Sequence, residues 1–233
     1  MTKCRYKAQQ TIKSVIFDLD GTLVFFKIDY MAARQEIIKN LYEHGIPKSL
    51  VSINQRIMEV INIAENYLKI VVKTSDKIPM IKNQIEKIIT KYEMDGANKT
   101  NLIPGAKDLL VFLKKQRYKL GLFTLENRKI TQFILNKFSI KSFFDSVVTR
   151  DDVLNLKPHP DHLRKVIMQL GVLPYEIVVV GDSPVDLECA KQIDALAIAR
   201  LSEYHKSDEL FKAGADFVVE NLLEINTILK EMV

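Results

Sequence analysis

Two aspartates one residue apart, Asp18 and Asp20, follow the apolar run 15–17 and are themselves followed by Gly21 and Thr22. An apolar, β-branched run that ends in carboxylates reads as a buried strand delivering acids to its own carboxyl end. In open parallel α/β sheets that end is where ligands bind. Three more reactive groups stand at or just past other strand-like runs: Thr124 after 119–123, Lys157 ahead of Pro158, and Asp182 with Asp186 in G-D-S-P-V-D after 176–180. Two like charges about 4 Å apart repel by roughly 4 kcal/mol at an effective dielectric near 20. Asp18, Asp20, Asp182 and Asp186 therefore cannot gather ionised without cations, and Lys157 supplies one positive charge. The deficit implies a bound cation. An all-oxygen set of one or two carboxylates with waters and phosphate points to Mg²⁺ rather than zinc.

The neighbours of these groups have matching roles. Gly21 can take the backbone geometry of a sharp turn, and Pro158 biases Lys157 away from helix. Ser183 suits an N-cap and Pro184 a first helical position, which puts Asp182 just before a helix and Asp186 in its first turn. Competing motifs fail on inspection. An EF-hand built on Gly21 would need an acid where Ile16 stands and a Glu where Lys27 stands, and neither G-x-x-x-x-G-K-[ST] nor G-x-G-x-x-G occurs.

The elements that must position these groups follow from hydrophobic periodicity. After the first strand, helical stripes cover 30–44, 50–73 and 80–94, with a turn at 74–79 and a loop at 95–101. From 104 onward helices and strands alternate: helices at 104–116, 128–138, 160–170, 184–192, 207–213 and the C-terminus, strands at 119–123, 146–149, 176–180, 195–199 and 216–219. That rhythm predicts an α/β fold, a Rossmann-like parallel sheet with helices on both faces. An all-α segment interrupts it. The expected division is a catalytic core of 1–24 and 100–233 and a helical cap of 25–99.

Composition narrows the class. With 47% hydrophobic and 27% charged residues the chain is globular rather than disordered. Its net charge of +5 comes from lysines spread along helical faces rather than from a patch, which argues against a nucleic-acid partner. Cys4 and Cys189 are too few and too far apart for a disulfide framework or a zinc site. No run approaches a bilayer span and 1–13 lacks an apolar leader core, so a cytoplasmic protein without a membrane partner is expected. Oligomeric state, monomer or homodimer, is left open.

Together these segments resemble a phosphatase-type member of the haloacid dehalogenase-like superfamily. Asp18 to Thr22 matches its first motif, Leu122-Phe123-Thr124 the second, Lys157-Pro158 the third, and Gly181 to Asp186 the fourth. Ala215 to Val219 is similar to the last core strand, and the helical insertion sits where a C1 cap does. The phosphoglycolate phosphatase-like branch is the nearest. The resemblance implies Asp18 as nucleophile forming an aspartyl phosphate, and Asp20 as general acid and later base. It implies Mg²⁺ held by Asp18, the Asp20 carbonyl and Asp182, with Asp186 supporting. Thr124 and the N–H groups of Leu125 and Glu126 would bind phosphate, and Lys157 would neutralise charge.

Two departures stand out. Val24-Phe25-Phe26 is apolar where many relatives carry Asp-Ser, and Leu125 replaces a frequent polar residue. Asp20 argues against a dehalogenase. Arg128, His159 and His162 lie near the motifs and read chiefly as helix-surface or capping residues, His44 reads as a helix C-terminal cation, and Phe25, Phe26 and Tyr30 suit either a pocket wall or packing. The expected activity is Mg²⁺-dependent hydrolysis of a small phosphorylated metabolite. A phosphomutase or phosphotransferase of the β-phosphoglucomutase type and a non-catalytic scaffold are the alternatives.

Overall fold

The computed structural model describes residues 11–25, 28–55, 57–73 and 76–232. Cys4 and Phe26 lie outside them. In chain order the elements are β1 (Ser14–Phe17), β2 (Val24–Phe25), α1 (Tyr30–Glu43), α2 (Ile57–Asn66), α3 (Ile78–Lys99), β3 (Asn101–Leu102), α4 (Ala106–Lys115), β4 (Lys119–Phe123) and α5 (Arg128–Lys137). There follow β5 (Ser146–Val148), α6 (Asp161–Leu170), β6 (Ile177–Gly181), α7 (Pro184–Lys191), β7 (Leu196–Arg200), α8 (Ser207–Ala213), β8 (Phe217–Val219) and α9 (Glu224–Glu231).

Six of these strands form one sheet in the order β5-β4-β1-β6-β7-β8, and each of its strand pairs is parallel. The chain builds outward from β1 to β4 and β5, then crosses back to β6, β7 and β8. Because parallel crossovers are right-handed, reversing the direction of travel puts the connecting helices on opposite faces. The fold is therefore a doubly wound, Rossmann-like α/β sheet, and its switch point lies between β1 and β6. Phe17 is level with Leu122 of β4 and Val180 of β6, so the ends of three neighbouring strands open at one place. Val15, Ile16 and Phe17 are wholly buried, as befits a strand covered on both faces.

The described residues group into two compact units, those within Met1–Phe26 and Thr100–Val233 and those within Lys27–Lys99. The second unit is helical with its own core, in which Ile37 and Leu41 of α1, Val60 of α2 and Ile81 and Ile85 of α3 are buried. Asp29 caps α1 by accepting from the Ala32 N–H at 2.9 Å. Glu36 takes Lys91 at 2.8 Å and the Tyr92 hydroxyl at 2.8 Å, tying α1 to α3. His44 closes α1 through a 2.8 Å contact between its Nδ1 and the Asn40 carbonyl.

Three local features depart from expectation. The helix expected from residue 50 starts at Ile57, because Ser52 and Gln55 satisfy backbone N–H groups locally: Ser52 N–H donates to the Gln55 side chain at 2.7 Å and Asn54 N–H to Ser52 Oγ at 3.3 Å. That helix also ends in a π turn over Tyr67–Val71. The segment 95–101 is not a loop. α3 continues to Lys99 because Gly96 and Ala97 are buried, and packing outweighs the poor helix propensity of Gly. Finally, Val24 and Phe25 pair antiparallel with Leu102 and Asn101, a two-residue ladder too short to leave a periodic signal.

His162 does not take the helix-surface or capping place that its sequence context predicts. It is buried, 5.8 Å from Phe123 in an edge-on arrangement, with Nε2 3.3 Å from the Val148 carbonyl. Burial first, then the charge of Lys157, holds its pKa down at about 4, so it is a neutral core residue.

Candidate active site

β1 ends at Phe17, and the backbone stays in the sheet one residue longer, with Asp18 N–H donating to the Val180 carbonyl at 2.9 Å. This fixes Asp18 on the switch-point crevice. From the loop after β5, Lys157, whose peptide bond to Pro158 is cis, reaches under it. Lys157 Nζ donates to Asp18 Oδ1 at 2.6 Å and to Asp186 Oδ1 at 2.7 Å, and it lies 3.7 Å from the centroid of the Phe123 ring. The side chains of Lys157 and Asp186 are 1% and 2% exposed, so this ammonium is enclosed by its partners.

Asp186 does two jobs. Its Oδ2 accepts from Ser183 Oγ at 2.6 Å and from Ser183 N–H at 3.2 Å, the reciprocal capping box that starts α7. Its Oδ1 is left for Lys157. Gly181, the last residue of β6, is what allows Asp186 so close: a Cβ there would lie 2.4 Å from the Asp186 Cβ.

Asp18, Asp182 and Asp186 are all buried, and each offers a carboxylate oxygen within 4.8 Å of the others. Burial pushes Asp18 well above the usual carboxylate range; Lys157 opposes that shift, and Asp186 and Asp182 add to it. Asp182 is pushed up to about 6 by burial and by Asp186, against a hydrogen bond from the Ser202 side chain and the nearby charges of Arg200 and His205. Burial would lower Lys157, but Asp18 and Asp186 outweigh it and raise its pKa to about 12. Asp18 and Asp186 thus share one ammonium, and Asp182 has Ser202 and the charge of Arg200 beside it. Protons or a cation must cover the excess negative charge.

Asp20 stands apart from that triad. It is half-buried, and its backbone bridges Val24 while Gly21 N–H donates to the Val24 carbonyl at 2.9 Å. Gly21 has φ +74°, and a Cβ on it would fall 2.1 Å from Asp182 Oδ2. The turn after Asp20 is shaped to admit the Asp182 carboxylate. Replacing Gly21 with Ala should therefore lower unfolding stability by about 1–3 kcal/mol, from a strained backbone plus a displaced acid. Urea titration at pH 7.5 measures this, and a loss under about 0.5 kcal/mol would show that Asp182 yields freely.

Thr124 ends β4 beside β1, with its N–H on the Val148 carbonyl at 3.0 Å. Its Oγ1 accepts from the Glu126 N–H at 3.1 Å, so that N–H, expected to face phosphate, is committed to the turn itself. Leu125 is 40% exposed at this mouth. Arg128 is paired with Asp152 at 2.5 Å, and its N–H with Asp151 at 2.8 Å, bracing the loops after β4 and β5. His159 is exposed and 3.3 Å from Asp161. Phe25 and Tyr30 are 43% and 51% exposed.

Arg200 and Ser202 carry no sequence signal, since the run L-A-I-A-R-L-S reads as an ordinary strand exit. Only the sheet order, which puts β7 next to β6, brings them to Asp182 and Gly21.

Residues 15–199 match the family profile described as haloacid dehalogenase-like hydrolase. The chain is 28% identical over 228 residues to the pyrophosphatase PpaX of Bacillus pumilus, covering 95% of this chain and 98% of that protein. It is 26% identical over 140 residues to the phosphoglycolate phosphatase of Nitrosococcus oceani, covering 60% and 62%. Among solved structures, the haloacid dehalogenase-type phosphatase of Thermococcus onnurineus superposes with a TM-score of 0.63 at 25% identity, covering 94% of this chain and 98% of that one.

Proposed function

Because the chain belongs to the haloacid dehalogenase-like hydrolases, we propose that it is a Mg²⁺-dependent phosphatase of small phosphorylated metabolites acting through an aspartyl phosphate on Asp18. The observation that carries this reading is the Asp18 carboxylate, fixed by Lys157 at 2.6 Å within a buried acidic triad at the sheet's switch point.

The donor set fits Mg²⁺, which favours hard carboxylate oxygens. Both oxygens of Asp186 already accept, from Lys157 and from Ser183. Asp18 and Asp182, with the Asp20 carbonyl, are then the residues that would hold the ion, and Asp186 keeps Lys157 in place. When bound, Mg²⁺ supplies positive charge opposite the phosphoryl oxygens.

Asp18 attacks phosphorus and the bond to the leaving oxygen breaks as Asp20 gives that oxygen its proton. Asp20, now a carboxylate, takes a proton from water, which attacks the phosphorus and frees Asp18 and inorganic phosphate. Splitting one displacement into two uses the same acid twice. Lys157 is too enclosed to meet phosphate directly, so it acts by orienting Asp18 and offsetting its charge. Thr124 keeps a hydroxyl proton to offer the phosphoryl group, and we assign the helical unit Lys27–Lys99 to substrate selection as a cap.

The test is phosphate release from a panel of phosphorylated metabolites with and without Mg²⁺. Inorganic pyrophosphate and phosphoglycolate come first on it because relatives carry those names. An isomeric sugar phosphate as product instead of phosphate would favour a mutase, and no turnover on any member would contradict the proposal.

Binding itself should depend on pH. A protonated carboxyl cannot ligate, and burial raises both ligands, Asp182 to about 6 and Asp18 in the same direction, so Mg²⁺ affinity measured by calorimetry should fall by at least about tenfold per unit once pH drops below 6. A flat profile down to pH 5 would remove Asp182 from the ligand set.

A further inference from the structure

Arg200 is the last residue of β7 and is 9% exposed. Its Nη1 donates to the Gly21 carbonyl at 2.6 Å, and its guanidinium lies 5.5 Å from the centroid of the Phe25 ring. Those two contacts grip the start and the end of one short excursion of chain. That excursion leaves the sheet after Asp18, turns at Asp20 and Gly21, and runs out through Val24 and Phe25.

Backbone bonds hold the rest of that excursion: Gly21 N–H donates to the Val24 carbonyl at 2.9 Å, the Leu23 and Val24 N–H groups donate to the Leu19 carbonyl at 2.9 and 3.1 Å, Ile103 N–H donates to the Leu23 carbonyl at 2.9 Å, and β2 pairs with β3 over two residues. A two-residue antiparallel ladder is marginal by itself. Asp18 is pinned by the β1–β6 ladder and by Lys157, but Asp20 is half-buried on this loop, outside the buried triad. The peptide unit that begins with the Gly21 carbonyl is one residue from the Asp20 side chain. Its orientation sets the turn.

We propose that Arg200 is a positioning residue for proton transfer: by bonding the Gly21 carbonyl and lying over the Phe25 ring, it holds the turn that aims Asp20 at the departing oxygen. This rests on the reading of Asp20 as general acid. A planar guanidinium can donate in its plane while its face covers a ring; a lysine ammonium is a point charge and cannot do both. Arg200 also adds positive charge beside Asp182, so the diagnostic variant is Arg200→Lys, which keeps the charge and removes the geometry.

A misplaced acid hurts only reactions that need the acid. Phenyl phosphate leaves as a basic phenoxide and requires the proton; 4-nitrophenyl phosphate leaves as a stabilised phenoxide and scarcely does. The experiment is kcat/KM on both esters with Mg²⁺, which reports the step that forms the aspartyl phosphate, for the wild-type protein, Asp20→Asn, Arg200→Lys and Phe25→Leu. Asp20→Asn should lose about 100-fold more on phenyl than on nitrophenyl phosphate. Arg200→Lys should lose about tenfold on phenyl phosphate and less than about threefold on nitrophenyl phosphate, mostly in kcat. Equal losses on the two esters, with or without a lower urea midpoint, would make Arg200 a structural brace only and overturn the proposal. If Arg200→Lys does not fold, Phe25→Leu decides, since Phe25 is 43% exposed and tolerates truncation: a preferential loss on phenyl phosphate supports the proposal and none overturns it. If Asp20→Asn itself shows no leaving-group preference, the acid role fails and this proposal with it. A steep Asp20→Asn beside a flat Arg200→Lys sinks only the role of Arg200.

Discussion

Replacing Asp18 with Asn should abolish turnover while leaving the fold intact. An amide oxygen cannot form the acyl phosphate, so kcat should drop by at least about 10⁴, equivalent to roughly 5 kcal/mol of transition-state stabilisation. The structural cost runs the other way. Asp18 is buried, and burial with the charges of Asp182 and Asp186 pushes its pKa well up. The ionised carboxylate is therefore a strained tenant of the metal-free site, and a neutral amide of the same shape relieves that strain. Unfolding stability of the Asn variant without Mg²⁺ at pH 7.5 should equal or exceed that of the wild type. Activity within tenfold of wild type would rule out Asp18 as nucleophile; activity lost together with several kcal/mol of stability would mean only that the variant misfolds.

Lys157→Met should have the opposite signature, a large loss of stability that depends on pH. Lys157 donates to Asp18 at 2.6 Å and to Asp186 at 2.7 Å from a nearly inaccessible position. Removing it leaves Asp18 and Asp186 without their shared cation, and orphaning a buried charge costs about 3–5 kcal/mol. The sign with pH follows from the direction of the carboxylate shifts. A carboxyl whose folded pKa is raised contributes stability in full below its unfolded value, and that contribution is lost as pH rises through the folded value. Asp18 and Asp182 are shifted this way already, and deleting Lys157 raises Asp18 further. The gap between variant and wild type should therefore be widest at pH 7.5 and narrow towards pH 5. Urea titrations across that range measure it. A gap below about 1 kcal/mol, or one that widens in acid, would mean the ammonium does not balance these acids.

Much of this arrangement is written locally in the chain. The strand ends at Phe17, Phe123 and Gly181 follow from apolar runs stopped by Asp, Thr or Gly-Asp, and Ser183-Pro184 with Asp186 announces the capping box that the structure contains. The charge argument that four acids need a cation anticipated a cluster, and three of them, Asp18, Asp182 and Asp186, lie together. Asp20 does not join them with its side chain, because the chain leaves the sheet after Asp18 and turns back on Val24 at Asp20 and Gly21. What stayed hidden is what depends on neighbours distant in sequence. Arg200 is separated from Gly21 by 179 residues and meets it only because β7 lies beside β6. The persistence of α3 through Gly96 depends on burial that no propensity scale contains. His162 is an instructive middle case: with Val166 and Leu170 it falls on one helical stripe, so its core position was available from spacing i, i+4. Its place near the motif loop suggests a helix-surface or capping role instead.

The most direct test of the account is to trap the covalent intermediate. Wild-type protein mixed with Mg²⁺ and a substrate found in the panel, quenched within one turnover and reduced with borohydride, should yield a homoserine in place of aspartate at position 18, located by sequencing the peptide that contains Ser14 to Thr22. Reduction at any other residue, or turnover that proceeds with no reduced residue at all, would contradict Asp18 as the phosphoryl acceptor.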